Sequence, residues 1–436
     1  MSNLPPAHPL PPAPSLWEAT APAPPPLRPL LHDMRVECAI VGAGYTGLNA
    51  AWHLSQRGAQ ACVLEASDAG WGASGRNGGM AVPRYKKGWC ALARTYGEEQ
   101  TLLLHALVHD ALESLQRNVD ELGLDGGFAR HGHLTPAYTD AHARALRDDV
   151  AWLAQHAGDQ HPRFLDAAAT ADMIGGGAYR GGYLDMRAAG VHPMAYAREL
   201  GGALARRGIP IHVRTPVTRV TIDGDGCTLE TPEARVRADS VIVATNAYTD
   251  LFQLPAGLAR RLIPVSTSVI ATAPLPEALY ARLLPGGQLV TDTRHLVNYF
   301  RRAPGRRILF GGRGSLTGSE RPAIYENLVK GLHGLFPGLR DTPIEFRWSG
   351  KVAVTLDDFP HLARHSPRVL FAAGYGGRGV ALTHLLGRLA AEMALGASVR
   401  AGPMAGGMPE LPLHGLRLPA LNLMAAYYKL RDRLRI

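Results

Sequence analysis

Residues 36–65 read VECAIVGAGYTGLNAAWHLSQRGAQACVLE, and the fold is decided here. Val36–Val41 is a short, mostly apolar run with β-branched residues, which predicts a strand. It passes at once into Gly42-Ala-Gly44-Tyr45-Thr46-Gly47. Leu48–Gln56 then has the pattern of a helix stopped at Gly58, and Ala61–Glu65 that of a second strand. This is a βαβ beginning with a chemical purpose at each step. Gly42 permits the tight turn off the strand, and Gly44 lets backbone approach a pyrophosphate. Gly47 lets the helix pack close to the sheet, while the helix N-terminus offers free N–H groups to phosphate. Glu65, 18 residues after Gly47 and followed by Ala66, ends the second strand where a carboxylate accepts hydrogen bonds from ribose hydroxyls. A glycine fingerprint alone is weak. With strand, helix and Glu65 around it, it reads as a dinucleotide site.

Two further glycine-rich turns select the dinucleotide. Gly70-Trp-Gly-Ala-Ser74-Gly75-Arg76-Asn77-Gly78-Gly79 holds five glycines in ten residues, placed to run beneath an extended ligand with its N–H groups bonding to it. A nicotinamide enzyme has no general need for this second cradle, whereas a flavin does. Near the other end, Ala373-Gly374-Tyr-Gly-Gly377-Arg378-Gly379-Val380 opens a long helix, Val380–Leu395. Its N-terminus carries partial positive charge, suited to the negative charge that a reduced flavin develops at its pyrimidine end.

Outward from these motifs, residues 1–33 are rich in proline and predict an extended arm rather than a packed element. Helical and strand patterns alternate to about Asp250. Residues 262–315 are more strand-rich, with runs Leu262–Val269 and Arg307–Gly311. Val369–Ala373 predicts a final strand, and the tail predicts a helix over Ala420–Leu434. In that tail Ala425, Ala426, Leu430 and Leu434 suit packing on the protein's own body as well as a membrane surface.

Composition narrows the class. Forty-six Lys and Arg against 37 Asp and Glu give a formal charge of +9. The cations are scattered apart from Lys429–Arg435, and no nucleic-acid motif accompanies them, so a solvated surface is the reading and no nucleic-acid partner is expected. No apolar run approaches the ~20 residues of a membrane helix, and membrane contact is not expected. The four cysteines show no CxxC spacing. Cys38 and Cys62 fall in apolar strands as free buried thiols, which suits a reducing, cytoplasmic compartment. No metal site is expected. His192, in Val-His-Pro, reads as ending a turn.

Together VGAGYTGLNAAWHL (41–54), GWGASGRNGG (70–79), VIVATNAYT (241–249) and GYGGRGVALTHLLGRLAAE (374–392) resemble flavoprotein amine and amino-acid oxidases of the D-amino-acid-oxidase type. Glycine and sarcosine oxidases are broad relatives. The bacterial γ-glutamylputrescine oxidases are nearer, with likeness running from SLWEATA (15–21) through YFRR, ILFGG and RWSG to AAYYKLRDRLR (425–435). The resemblance implies an α/β (α+β) fold: a Rossmann-like FAD-binding domain assembled from 34–88, 188–250 and 350–400, and an interleaved substrate domain on a mixed β-sheet from 89–187 and 251–349. It places pyrophosphate over Gly42, Gly44, Tyr45 and Thr46, ribose on Glu65, and adenine by Val217. Asn246 falls in a second dinucleotide-side turn. The flavin end falls to Ser74, Gly75, Arg76, Asn77, Gly78 and Gly79, with Gly374, Gly377, Arg378, Gly379 and Val380 at the pyrimidine. Some relatives attach FAD through a cysteine near Thr355–Asp358 or a histidine in the glycine-rich loop. This sequence has neither there, so FAD is expected to be non-covalent.

The implied reaction removes a hydride from the carbon beside an amine nitrogen, and needs no strong general base. The resemblance places Tyr299, Arg301 and Arg313 over the reactive face, with Arg313 suited to a substrate carboxylate by its fork geometry. Trp348 reads as core. The expected acceptor is O₂, although Leu309 stands where sarcosine oxidases carry a lysine that speeds oxygen reaction. The alternatives are a dehydrogenase passing electrons to a quinone, and a flavoprotein subunit serving assembly or sensing.

Overall fold

A computed structural model describes residues 14–251, 257–314, 322–412 and 416–434. The strand Met34–Val41 is buried along its second half because it lies at the centre of a sheet. It runs parallel to Ala61–Leu64 on one side and to Arg235–Val243 on the other. Val369–Ala373 and Ile211–His212 extend the parallel set, and the antiparallel strands Arg219–Asp223, Gly226–Glu230 and His361–Ser366 flank it. One face is covered by the helix Tyr45–Ser55, here the nucleotide helix, and by Gly379–Ala394, the capping helix, whose apolar residues share a core with Ile40 and Val63. The other face is buried too, with Ala39, Val41, Cys62 and Leu64 in a second core, and burial of both faces explains why the strand sequences are continuous apolar runs rather than alternating ones. The fold is mixed α/β, as expected.

A second eight-stranded sheet is mixed. Ile344–Val354, Ile263–Thr272, Arg307–Arg313, Tyr299–Ala303 and Leu289–Thr291 are joined antiparallel, and Leu289–Thr291 then pairs parallel with His133–Pro136. Both sheets draw on separated stretches of chain. Ile344–Val354 pairs with Ile263–Thr272 over its whole length, so the expected boundary at 350 falls inside a strand of the second sheet. The helix Glu98–Leu122, from a stretch assigned to the substrate domain, packs against the capping helix.

Three local expectations need correction. The arm is not only extended: Leu16–Thr20 is a helix capped by Ser15, with Leu16 and Trp17 fully buried. The Arg198 guanidinium pairs with Glu18 and also donates to the Pro22 carbonyl at 2.8 Å, holding this segment on the helix Pro193–Arg206. His192 starts that helix instead of ending a turn, its ring nitrogen accepting from the Ala195 amide at 3.2 Å. The tail helix, Arg417–Leu434, leaves Leu430 and Leu434 more than half exposed, so these two do not pack on the protein's own body.

Cys38 and Cys62 are buried free thiols, as their strands implied. Among the described residues no helix is long and apolar enough to cross a membrane. Burial also governs the histidines. His53, His109, His192 and His384 are held down at about 4 from an ordinary 6.5, chiefly by desolvation, and His133 lies well below its ordinary value for the same reason. Between about pH 6.5 and 4 the unfolded chain binds protons at these positions that the folded chain does not. Their contribution is therefore complete above the unfolded value and is lost as pH falls through that window, by at most about 1.4 kcal/mol per pH unit for each. Melting temperature is expected to drop well before the carboxylates titrate. A flat profile across the window would show these imidazoles to be protonated in the folded protein.

Candidate active site

The first turn of the nucleotide helix is built by close contact. Gly42 has φ +107°, and a Cβ on Gly47 would lie 1.9 Å from the Gly42 carbonyl oxygen. The helix thus begins directly above the strand end, with Gly44 as N-cap. Ser74 reaches across to accept from the Tyr45 amide at 3.0 Å, leaving the Thr46 and Gly47 amides without a carbonyl partner inside the helix. Glu65 sits beside this turn. Its two carboxylate oxygens accept from the Ala43 amide at 2.8 Å and the Ser67 amide at 2.9 Å, and burial raises its pKa against these bonds.

The capping helix lies so close to the nucleotide helix that a Cβ on Gly387 would be 2.7 Å from both the Thr46 carbonyl and Asn49 Cβ. The Thr46 and Tyr375 hydroxyls meet at 2.8 Å between the two helix starts. Both N-termini therefore open into one cleft of about 1370 Å³, its open mouth included. At the nucleotide-helix end the cleft is walled by Gly42, Gly44, Tyr45, Thr46, Glu65 and Ala66. Ser74, Asn77, Val217 and Asn246 also line it. Gly377, Gly379 and Val380 close it. Asn246 holds a positive φ of 45° and accepts the Gly374 amide at 3.0 Å, tying two walls together.

Other expected site residues sit behind this wall. A Cβ on Gly75 would strike Met194, one on Gly79 the Val191 carbonyl, and one on Gly374 the Thr355 side chain. Gly78 lies against the Tyr299 ring. Arg76 places its guanidinium over Trp71 at 4.3 Å. The glycine-rich loop is thus a pinned cradle. Trp17 donates its indole N–H to the Asn77 carbonyl at 2.8 Å, and Trp348, core as expected, donates to the Arg76 carbonyl at 2.9 Å. Arg301 donates to the carbonyls of Gly79 at 2.7 Å and Val191 at 3.0 Å. Arg301 is therefore committed to holding the loop, contrary to its expected place over the reactive face. Burial lowers its pKa to about 10, so it stays cationic.

Tyr299 and Arg313 lie on the paired strands Tyr299–Ala303 and Arg307–Arg313, as the hairpin-like pattern implied. Tyr299 is pushed up to about 12 by burial. Arg313 lies opposite Thr267, and its side chain is outside the described residues. Arg378 caps the capping helix. Its guanidinium forms no ion pair among the described residues, and burial, then the like charge of Arg84, lowers it to about 10. Arg84 bonds Asp149 at 2.7 Å through one nitrogen, while its Nη1 is buried with no partner.

Sequence reading missed several cleft residues. Trp71 and Tyr248 meet edge to face at 5.6 Å in the cleft wall, and Tyr375, Thr383 and Val352 also line it. Only Tyr375, inside a glycine-rich turn, carried a local signal. His105, His109 and Asp159 also come together close enough to hold an ion, a grouping not foreseen although the histidines are four apart. Arg187 already donates to the same Asp159 oxygen that His105 meets, so this carboxylate is paired with a cation.

The residues fit FAD: a glycine cradle no side chain could occupy, two helix N-termini for anionic groups, and the Glu65 carboxylate beside the first of them. Comparisons with known proteins agree. Residues 37–393 match the DAO family model, FAD dependent oxidoreductase. The chain is 33% identical to gamma-glutamylputrescine oxidoreductase of Escherichia coli over 425 residues, covering 96% of this chain and 98% of that protein. It is 25% identical to glycine oxidase of Geobacillus kaustophilus, over 82% and 93% of the two chains. The crystal structure of that glycine oxidase superposes with a TM-score of 0.73 at 22% identity, covering 87% and 99%. The chain belongs to the DAO family of FAD-dependent oxidoreductases.

Proposed function

We propose that the protein oxidises the C–N bond of an amine or amino acid that bears a carboxylate, releasing an imine that water hydrolyses, with O₂ as electron acceptor and H₂O₂ as second product. When bound, FAD supplies the hydride acceptor for the substrate carbon. The observation that carries the reading is Arg378. Gly377 and Gly379 on either side of it line the cleft, and it is a desolvated cation without an acidic partner among the described residues. A substrate carboxylate offsets that desolvation, and the buried, unpartnered Nη1 of Arg84 is a second donor for it. His133, neutral through burial, adds no third charge. Likeness to gamma-glutamylputrescine oxidoreductase supports a substrate that carries both an amine and a carboxylate. Ribose is assigned to Glu65, pyrophosphate to the first turn of the nucleotide helix, and adenine to the side of Val217.

A second reading rests on Leu309. It is fully buried among Trp17, Val269 and Trp348, so no cation stands there. A dehydrogenase that reduces a quinone accommodates this directly.

Three measurements test the site. No cysteine or histidine lines the cleft among the described residues, so acid is expected to release FAD into the supernatant; flavin retained by the precipitate overturns non-covalent binding. Glu65→Ala is expected to weaken FAD retention by about 1–3 kcal/mol, since it removes the carboxylate assigned to the ribose hydroxyls; unchanged retention removes Glu65 from the ribose site. Arg378→Met is expected to lower kcat/KM for the carboxylate substrate, measured per bound FAD, by roughly 10- to 100-fold, the value of one charge-assisted hydrogen bond. An anaerobic screen of amines for flavin bleaching, followed by mixing with O₂, decides the acceptor. Reoxidation within seconds supports the oxidase, and a flavin that stays bleached in air but reoxidises with a quinone selects the dehydrogenase.

A further inference from the structure

The tail helix Arg417–Leu434 turns an apolar stripe away from the protein. Leu423, Tyr427, Leu430 and Leu434 follow at intervals of four, three and four residues and so share one face. They are 75%, 54%, 54% and 57% exposed. The opposite face holds the helix down. Leu421 is buried with Ile263 and Val265, Tyr428 stacks on His295 at 5.1 Å, and Asp432 accepts from the amides of His295 at 2.9 Å and Leu296 at 2.8 Å. An exposed face of large apolar residues is thus fixed in place by specific contacts behind it.

The charges around the stripe say what covers it. At about 100° per residue, Arg431 and Arg433 fall on opposite flanks of Leu423. With Lys429 they form no ion pair among the described residues. Asp432 is the only carboxylate in the helix, and it points inward at His295. A second copy of this face would bring cations against cations with no acid to relieve them. Nucleic acid would leave the leucines in water. An anionic lipid surface satisfies both parts, since the stripe enters the headgroup boundary while the flanking cations meet phosphate. We propose that this face docks the protein on an anionic membrane surface, with the helix lying in the plane of the headgroups. Leu421 shares its small core with Val352, which lines the flavin cleft, so the seat lies beside the cofactor site. The docking does not depend on which electron acceptor the enzyme uses.

The test uses the full chain loaded with FAD and sedimented with vesicles of phosphatidylcholine alone or mixed with phosphatidylglycerol. Binding is expected only to the phosphatidylglycerol vesicles, and raising the salt is expected to release it. Replacing Lys429, Arg431 and Arg433 together by Gln is expected to lower partitioning about a hundredfold, at about fivefold per cation. The triple variant Leu423→Ser, Tyr427→Ser, Leu430→Ser is expected to abolish binding. Because these side chains are exposed, its flavin content and melting temperature are expected to stay unchanged, which separates lost docking from lost folding. Three results overturn the proposal: no sedimentation with either vesicle, equal sedimentation with both, or a serine variant that still binds. A self-association in vesicle-free solution that the serine variant abolishes reassigns the face to a second copy of the chain.

Discussion

Everything in the cofactor site hangs on one contact distance. A Cβ on Gly47 would sit 1.9 Å from the Gly42 carbonyl oxygen, closer than any side chain allows. Only this approach lets the nucleotide helix begin directly over the end of Met34–Val41, so that its free amides open into the cleft. The capping helix repeats the device at Gly387, settling onto Thr46 and Asn49 until the Thr46 and Tyr375 hydroxyls touch. Two helix dipoles are thereby focused on one volume. Each is worth a few tenths to about 1 kcal/mol toward an anion at an exposed site, and more in a partly buried one.

The glycine-rich cradle of residues 70–79 is held by a different means. A loop with five glycines in ten residues has a high conformational entropy to lose. Here it is fixed by donors from three distant segments: the Trp17 indole, the Trp348 indole and the Arg301 guanidinium. Neutral bonds of this kind contribute about 0.5–1.5 kcal/mol each and charged ones more. The short helix Leu16–Thr20 acts as part of the site's foundation, because it carries one of these three donors.

This contrast explains what was legible in the sequence. The nucleotide helix, Glu65 and the capping turn are local motifs, readable because their parts lie within some thirty residues of one another. Trp17 and Asn77 are 60 residues apart, and Trp348 and Arg76 are 272 apart. No periodicity or spacing marks such pairs. For the same reason Arg301 read as a substrate contact, while its hydrogen bonds to the Gly79 and Val191 carbonyls make it a clamp. Trp71 and Tyr248 escaped notice because aromatic residues in loops carry no signal until the fold brings them edge to face. The proline-rich arm suggested an extended chain, and the five residues that fold onto the body were too short to stand out from it.

On the proposed reading, the charges near Arg378 act on both ends of the substrate. Arg378 and the half-satisfied Arg84 attract a carboxylate, while the dipole of the capping helix adds to the same positive potential. That potential disfavours a protonated amine nearby and so lowers the amine's pKa. The nitrogen then keeps the lone pair it needs to expel hydride, without a dedicated general base. His133 is consistent with this economy. It is buried, donates to or accepts from Thr291 at 2.9 Å, and is held neutral, so its ring neither competes for the carboxylate nor adds to the repulsion on the amine. Desolvation of a few cations thus performs the orienting and deprotonating work that many enzymes assign to a catalytic acid–base pair.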